Sequence, residues 1–185
     1  MFRPLLSCKL SATSSGTQDE YPVDKKSTPK KRAPSVRKPL ILTEEQEQIV
    51  VGSLLGDMHI EFRGLNCRLK FRHSEKQREY AFWKYEQLKN LVPSEPKIAI
   101  DKKKVDGIIV TYNVIWFNSY TNSTFNKYRE TWYNSAGEKI IPSNVEDYLT
   151  PLSLLILLYD DGTALATSKG FRLALNNFSR FRIIL

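Results

Sequence analysis

The chain has 185 residues, with 28 Lys and Arg against 20 Asp and Glu, a formal charge of +8. With 41% apolar and 11% aromatic residues it holds enough material for a core, which excludes a globally disordered or fibrous protein. Two cysteines, Cys8 and Cys67, are too few and too far apart for a disulfide framework or a zinc site, and no apolar run approaches the roughly 20 residues needed to span a bilayer, so no membrane partner is expected.

The charge is concentrated at the start, where residues 1–40 hold nine basic residues against three acids. Residues 1–18 combine Arg3 and Lys9 with apolar residues, many Ser and Thr and no acid, the composition of an organellar transit peptide. Lys25, Lys26, Lys30, Lys31, Arg32, Arg37 and Lys38 follow around Pro29 and Pro34 with no anion among them. Such a stretch buries too little apolar surface to fold alone, and it predicts an extended basic arm that gains affinity for a polyanion by releasing its counterions.

Thr43 is the N-cap and Gln46 the capping-box partner of a helix over 44–57, with acids in its first turn. Gly52 and Gly56 are spaced to share one face of that helix. Each costs about 1 kcal/mol relative to alanine, so close approach of a second helix is expected to compensate. Asp57 stands at the C-terminal tip, where the helix dipole disfavours an acid, and a nearby cation is expected. Residues 67–73 alternate, with Arg68, Lys70 and Arg72 on one face of a strand. Ser74 then opens a helix over 75–92, with Tyr80, Phe82, Trp83, Leu88, Leu91 and Val92 as its buried stripe and Pro93 as its stop.

Residues 97–102 and 107–117 read as a hairpin around a basic turn of Lys102, Lys103 and Lys104, followed by a helix over 125–133 and a connector over 140–148. Thr150 and Pro151 start a second apolar helix that again ends in acid, at Asp161. After Gly162 the order restarts, with strands over 164–167 and 171–175 and the beginning of a helix in 177–185. The predicted order describes a duplicated α/β unit whose second copy is cut short.

The segments VVGSLLGDM (50–58) and LLILLYDDG (154–162) resemble the paired motifs of the LAGLIDADG homing endonucleases and their maturase relatives. The strand at 69–74, Tyr80 and Trp83, Ile141-Pro142 and the segment LALNNFS (173–179) add to the likeness, which spans about 43–185. It implies an α/β (α+β) fold, a duplicated αββαββα saddle with an incomplete second repeat. The domains would be a transit-like and basic extended arm over 1–40, a first repeat over 41–149 and a truncated second repeat over 150–185. The resemblance further implies that Gly52 and Gly56 let the two motif helices pack at a pseudo-twofold axis. Asp57 and Asp161 would be the catalytic and Mg2+-binding acids if the chain is active. Arg63, Arg68, Lys70, Arg72 and Arg172 would face phosphates, joined by Lys102, Lys103 and Lys104.

Met58 stands where the first motif usually has Gly, which reduces backbone freedom after the acid, and the short second half leaves its side of the saddle incomplete. These departures and the arm favour a non-enzymatic reading: an RNA-binding structural component of an organellar ribonucleoprotein, above all the mitochondrial ribosome. It would contact rRNA and neighbouring ribosomal proteins, need no cofactor, and reside in the mitochondrial matrix, with the plastid as the alternative compartment. The alternative functions are a Mg2+-dependent DNA homing endonuclease and a maturase-like splicing factor. The apolar Ile183, Ile184 and Leu185 suggest that a separate chain completes the second repeat. His59 and His73 lack partners at ligand spacing and read as ordinary strand residues, and Cys67 reads as a small packing residue.

Overall fold

The expected capping box opens the first helix, α1 (Glu44–Leu55). The Gln46 N–H donates to Thr43 Oγ1 and the Thr43 N–H to Gln46 Oε1, both at 3.2 Å. The helix ends at Leu55 with Gly56 as its cap, so Asp57 stands just beyond the tip. The structure, a computed structural model, describes residues 38–165 and 170–173, all within one unit spanning 33–185. Residues 1–37, with the transit-like start and most of the arm, and the expected helix in 177–185 lie outside the described residues.

Strands β1 (His59–Phe62) and β2 (Cys67–Ser74) pair antiparallel, and β2 shows the predicted alternation, with Cys67, Leu69, Phe71 and His73 buried. Strands β3 (Lys97–Val105) and β4 (Ile108–Asn118) complete a four-stranded antiparallel sheet in the order β1-β2-β4-β3. The β3–β4 turn differs from the expected basic one. It is formed by Asp106 and Gly107, both at positive φ (48° and 84°), as a two-residue type I′ turn requires. Lys102, Lys103 and Lys104 instead pair within the ladder, opposite Thr111, Val110 and Ile109.

Helix α2 (Arg78–Gln87) is shorter than expected and is flanked by 3-10 turns, Glu75–Gln77, capped by Ser74, and Lys89–Leu91. Its buried positions are Ala81, Lys84 and Tyr85, whereas Trp83 is 38% exposed and Phe82 only partly buried. The stripe therefore runs through a lysine, which an acid from another element makes possible. A short helix, α3 (Asn126–Trp132), follows the 3-10 turn Ser123–Phe125, and the connector contains the 3-10 turn Val145–Tyr148.

Helix α4 (Pro151–Asp161) has Thr150 as N-cap, with a reciprocal box to Ser153. Strands β5 (Gly162–Ala164) and β6 (Phe171–Leu173) form a separate two-stranded antiparallel sheet. The main core sets Ile49, Val50 and Leu54 of α1 against Ile60, Leu69, Phe71 and Phe117 of the sheet, with the Phe71 and Phe117 rings stacked at 4.7 Å. Burying such side chains contributes about 1.5–3 kcal/mol each.

The two motif helices are not covered alike. Counted back from the two aspartates, Val50, Val51 and Leu55 of α1 are buried, while the corresponding Leu154, Leu155 and Tyr159 of α4 are 45%, 48% and 56% exposed. Met58 is buried in the core and not at positive φ, so a glycine's freedom is not required there. No helix among the described residues is long and apolar enough to cross a membrane.

Candidate active site and basic face

Helices α1 and α4 run side by side in the same direction, since their contacts advance together along both. Thr150 Oγ1 donates to Gln48 Oε1 at 2.9 Å near the N-termini. In the middle, a Cβ on Gly52 would fall 2.5 Å from the Ser153 carbonyl oxygen and 2.6 Å from Ile156 Cβ. At the far end, a Cβ on Gly56 would fall 2.4 Å from Asp160 Cβ. All three separations are shorter than any ordinary contact of a Cβ atom, so the close packing depends on the two glycines.

Parallel packing brings two negative helix ends together, each with an aspartate beyond or at its tip. Asp57 and Asp161 lie close enough for their carboxyls to interact, and both are held above the ordinary carboxylate range, Asp161 up to about 6. Partial burial is the largest cause for both, followed for Asp161 by the Asp57 charge and for Asp57 by the Asp160 charge. The expected cation is Lys139, whose Nζ donates to the Gly56 carbonyl at the end of α1 at 2.5 Å. Burial lowers its pKa to about 8 against the pull of Asp161, Asp57 and Asp160.

The two acids fit a hard divalent cation. They offer partly exposed carboxylate oxygens beside a backbone carbonyl, and Mg2+ typically takes one or two carboxylates and completes its shell with water and phosphate oxygen. Among the described residues there is no group of three or more His, Cys, Asp or Glu that could hold a metal ion. His59 lies on β1 with Nδ1 3.2 Å from Tyr133 Oη, and His73 is buried, edge-on to Tyr80.

The expected phosphate-facing cations divide into groups. Arg68, Lys70 and Arg72 share one face of β2, where Glu61 lies within 2.5 Å of Arg68, 4.0 Å of Lys70 and 3.7 Å of Arg63. Arg72 pairs with Asp101 of β3. Strand alternation and register place Lys97 and Lys103 on the same face as Arg72, and Lys102 and Lys104 on the opposite one. Arg172 is exposed on β6, in the other sheet, and Lys38 is exposed just before α1. Lys25, Lys26, Lys30, Lys31, Arg32 and Arg37 lie outside the described residues.

Three residues near the acids escaped sequence reasoning. Lys139 precedes the noted Ile141-Pro142 but shares no motif spacing with either aspartate, so only the need for a cation near Asp57 hinted at it. Lys84 stands within an apolar stripe and Asp160 directly beside Asp161. A lysine interrupting a buried stripe was the available signal for both.

Residues 47–184 match the LAGLIDADG DNA endonuclease family. The chain is 31% identical over 140 residues to cytochrome b mRNA maturase bI2 of Debaryomyces hansenii, across 75% of this chain and 52% of the relative. It is 33% identical over 138 residues to cytochrome b mRNA maturase bI2 of Saccharomyces cerevisiae, across 71% of this chain and 32% of the relative. The chain thus spans about half of one maturase and a third of the other. It is also 28% identical over 153 residues to DNA endonuclease I-ChuI of Chlamydomonas applanata, across 75% of this chain and 68% of the relative. Its fold is similar to the homing endonuclease I-WcaI bound to its DNA recognition sequence, with a TM-score of 0.55 and 24% identity over 66% of this chain and 53% of that one. These relatives shift weight from the expected ribosomal role to the two alternatives, endonuclease and maturase.

Proposed function

The chain belongs to the LAGLIDADG DNA endonuclease family, and from that premise we propose that it binds duplex nucleic acid on its β-sheet face and hydrolyses a phosphodiester bond at Asp57 and Asp161. The observation that carries this reading is the close packing of α1 on α4 at Gly52 and Gly56, which brings Asp57 and Asp161 together where the two helices end. Arg63, Arg68, Lys70, Arg72, Lys97 and Lys103 would take phosphates along the sheet, and Arg172 would do so from the second sheet. Phosphate contacts of this kind position the duplex without reading its sequence. Asp57 and Asp161 would hold Mg2+, which when bound supplies charge neutralisation for the attacking and leaving oxygens. Lys139 keeps a positive charge at the shared helix ends, restraining the repulsion between the acids.

This reading divides the chain at 1–40 as a basic arm, 41–149 as a first repeat and 150–185 as a second. A mitochondrial location fits relatives named as cytochrome b mRNA maturases.

The test is Mg2+-dependent nicking of plasmids carrying intronless target sequences. Asp57→Asn and Asp161→Asn should each abolish nicking while filter binding of the duplex persists, and a parent chain that nicks no target overturns the reading. A second reading, assistance to intron RNA splicing, is favoured by the two maturase relatives. It predicts RNA binding and splicing that survive both Asn substitutions.

A further inference from the structure

Beneath the carboxyl pair lies a second set of charges that takes no direct part in the proposed hydrolysis. Asp160 precedes Asp161, but a helix turns about 100° per residue, so the two side chains leave α4 in different directions. The Asp160 side chain is 1% exposed. Its Oδ1 accepts from Tyr80 Oη at 2.8 Å and from Lys84 Nζ at 2.9 Å, and its Oδ2 from Lys84 Nζ at 3.2 Å. Lys84 is 0% exposed, with Nζ 4.5 Å from the centre of the Tyr80 ring.

This group ties together all three helices around the site. Tyr80 and Lys84 belong to α2, Asp160 to the tip of α4, and the α1 tip abuts the same aspartate through Gly56. A buried ion pair is a weak source of net stability, because apolar residues of similar volume do as well or better. What it provides in return is one defined geometry. Here that geometry fixes the two helix ends that carry Asp57 and Asp161.

We propose that Asp160, held by Lys84 and Tyr80, is a positioning residue that sets the approach of Asp57 to Asp161 and so their fit to a divalent cation. The proposal rests on the reading that this carboxyl pair binds Mg2+, and its test separates the two. The full chain is titrated with Mn2+ alone, followed by electron paramagnetic resonance, and nicking kinetics are measured in parallel. Two variants are compared with the parent: Lys84→Met combined with Asp160→Leu, which removes both charges, and Tyr80→Phe, which removes one hydrogen bond and keeps the ion pair.

Outer partners of metal ligands typically contribute 10- to 100-fold in affinity, and a loss of about that size is expected for the apolar pair. Its kcat should fall with KM for the duplex unchanged, and Tyr80→Phe should move both readouts the same way by less. A folded apolar pair with the parent's Mn2+ affinity and kcat overturns the positioning role. If that variant does not fold, Tyr80→Phe decides, and unchanged Mn2+ affinity overturns the role. A parent that binds no Mn2+ overturns the carboxyl-pair reading itself, and the positioning role with it.

Discussion

Asp161 is the residue whose electrostatics can be checked most simply. Its carboxyl, pushed up to about 6 chiefly by burial and then by Asp57 and Asp160, stands well above the ordinary value. An acid with a raised folded pKa binds more protons in the folded state than in the unfolded one. Its contribution to stability is therefore full below about pH 4, lost as pH rises through about 6, and absent above. Asp161→Asn should stabilise the protein at pH 7 by about 1 kcal/mol, a figure reduced for solvent screening because the side chain is partly exposed. No gain is expected at pH 4. Urea melts of parent and variant at the two pH values check this, and a variant less stable than the parent at pH 7 contradicts it. Asp57 was legible at the same scale, because an acid at a helix C-terminus demands a cation. Which lysine answers was not legible, because Lys139 reaches the Gly56 carbonyl from a distant segment.

Between elements, the decisive contact is the parallel packing of α1 on α4. Alanine at position 52 would gain about 1 kcal/mol of helix propensity. Its Cβ would also enter the 2.5 Å gap to the Ser153 carbonyl oxygen, a backbone atom that cannot rotate away. Overpacking of this kind typically costs about 1–3 kcal/mol, so Gly52→Ala should be net destabilising. Equilibrium urea unfolding measures it, and a variant as stable as the parent would show that the helices stand further apart. The glycine spacing made this packing readable in advance. Elsewhere local pattern misled for identifiable reasons. The lysine run at 102–104 looked like a turn because it is polar, but the φ values that a two-residue hairpin needs fall on Asp106 and Gly107. Trp83 looked like core because it is large and apolar, yet the buried position beside it belongs to Lys84, whose partner Asp160 lies in another helix.

At the scale of the whole molecule, the candidate site is made by folding alone. Asp57 stands just beyond the first motif helix and Asp161 ends the second, and the sheet, α2 and α3 lie between them in the chain. The helices and strands from α1 to α4 were largely visible in the sequence, and so were the two acids at the tips of apolar helices, because both rest on short-range patterns of caps, glycines and alternation. The set of side chains around the acids was not, because it depends on which distant segments the fold brings together. The division of the basic residues between two sheet faces likewise followed only from strand register. The central claim, that Asp57 and Asp161 form one divalent-cation site, is tested most directly by Mn2+ titration of the native chain followed by paramagnetic resonance. One bound ion is predicted for the parent, lost in Asp57→Asn, in Asp161→Asn and on unfolding in urea. Binding that is absent from the parent, or undiminished in both Asn variants, would contradict it.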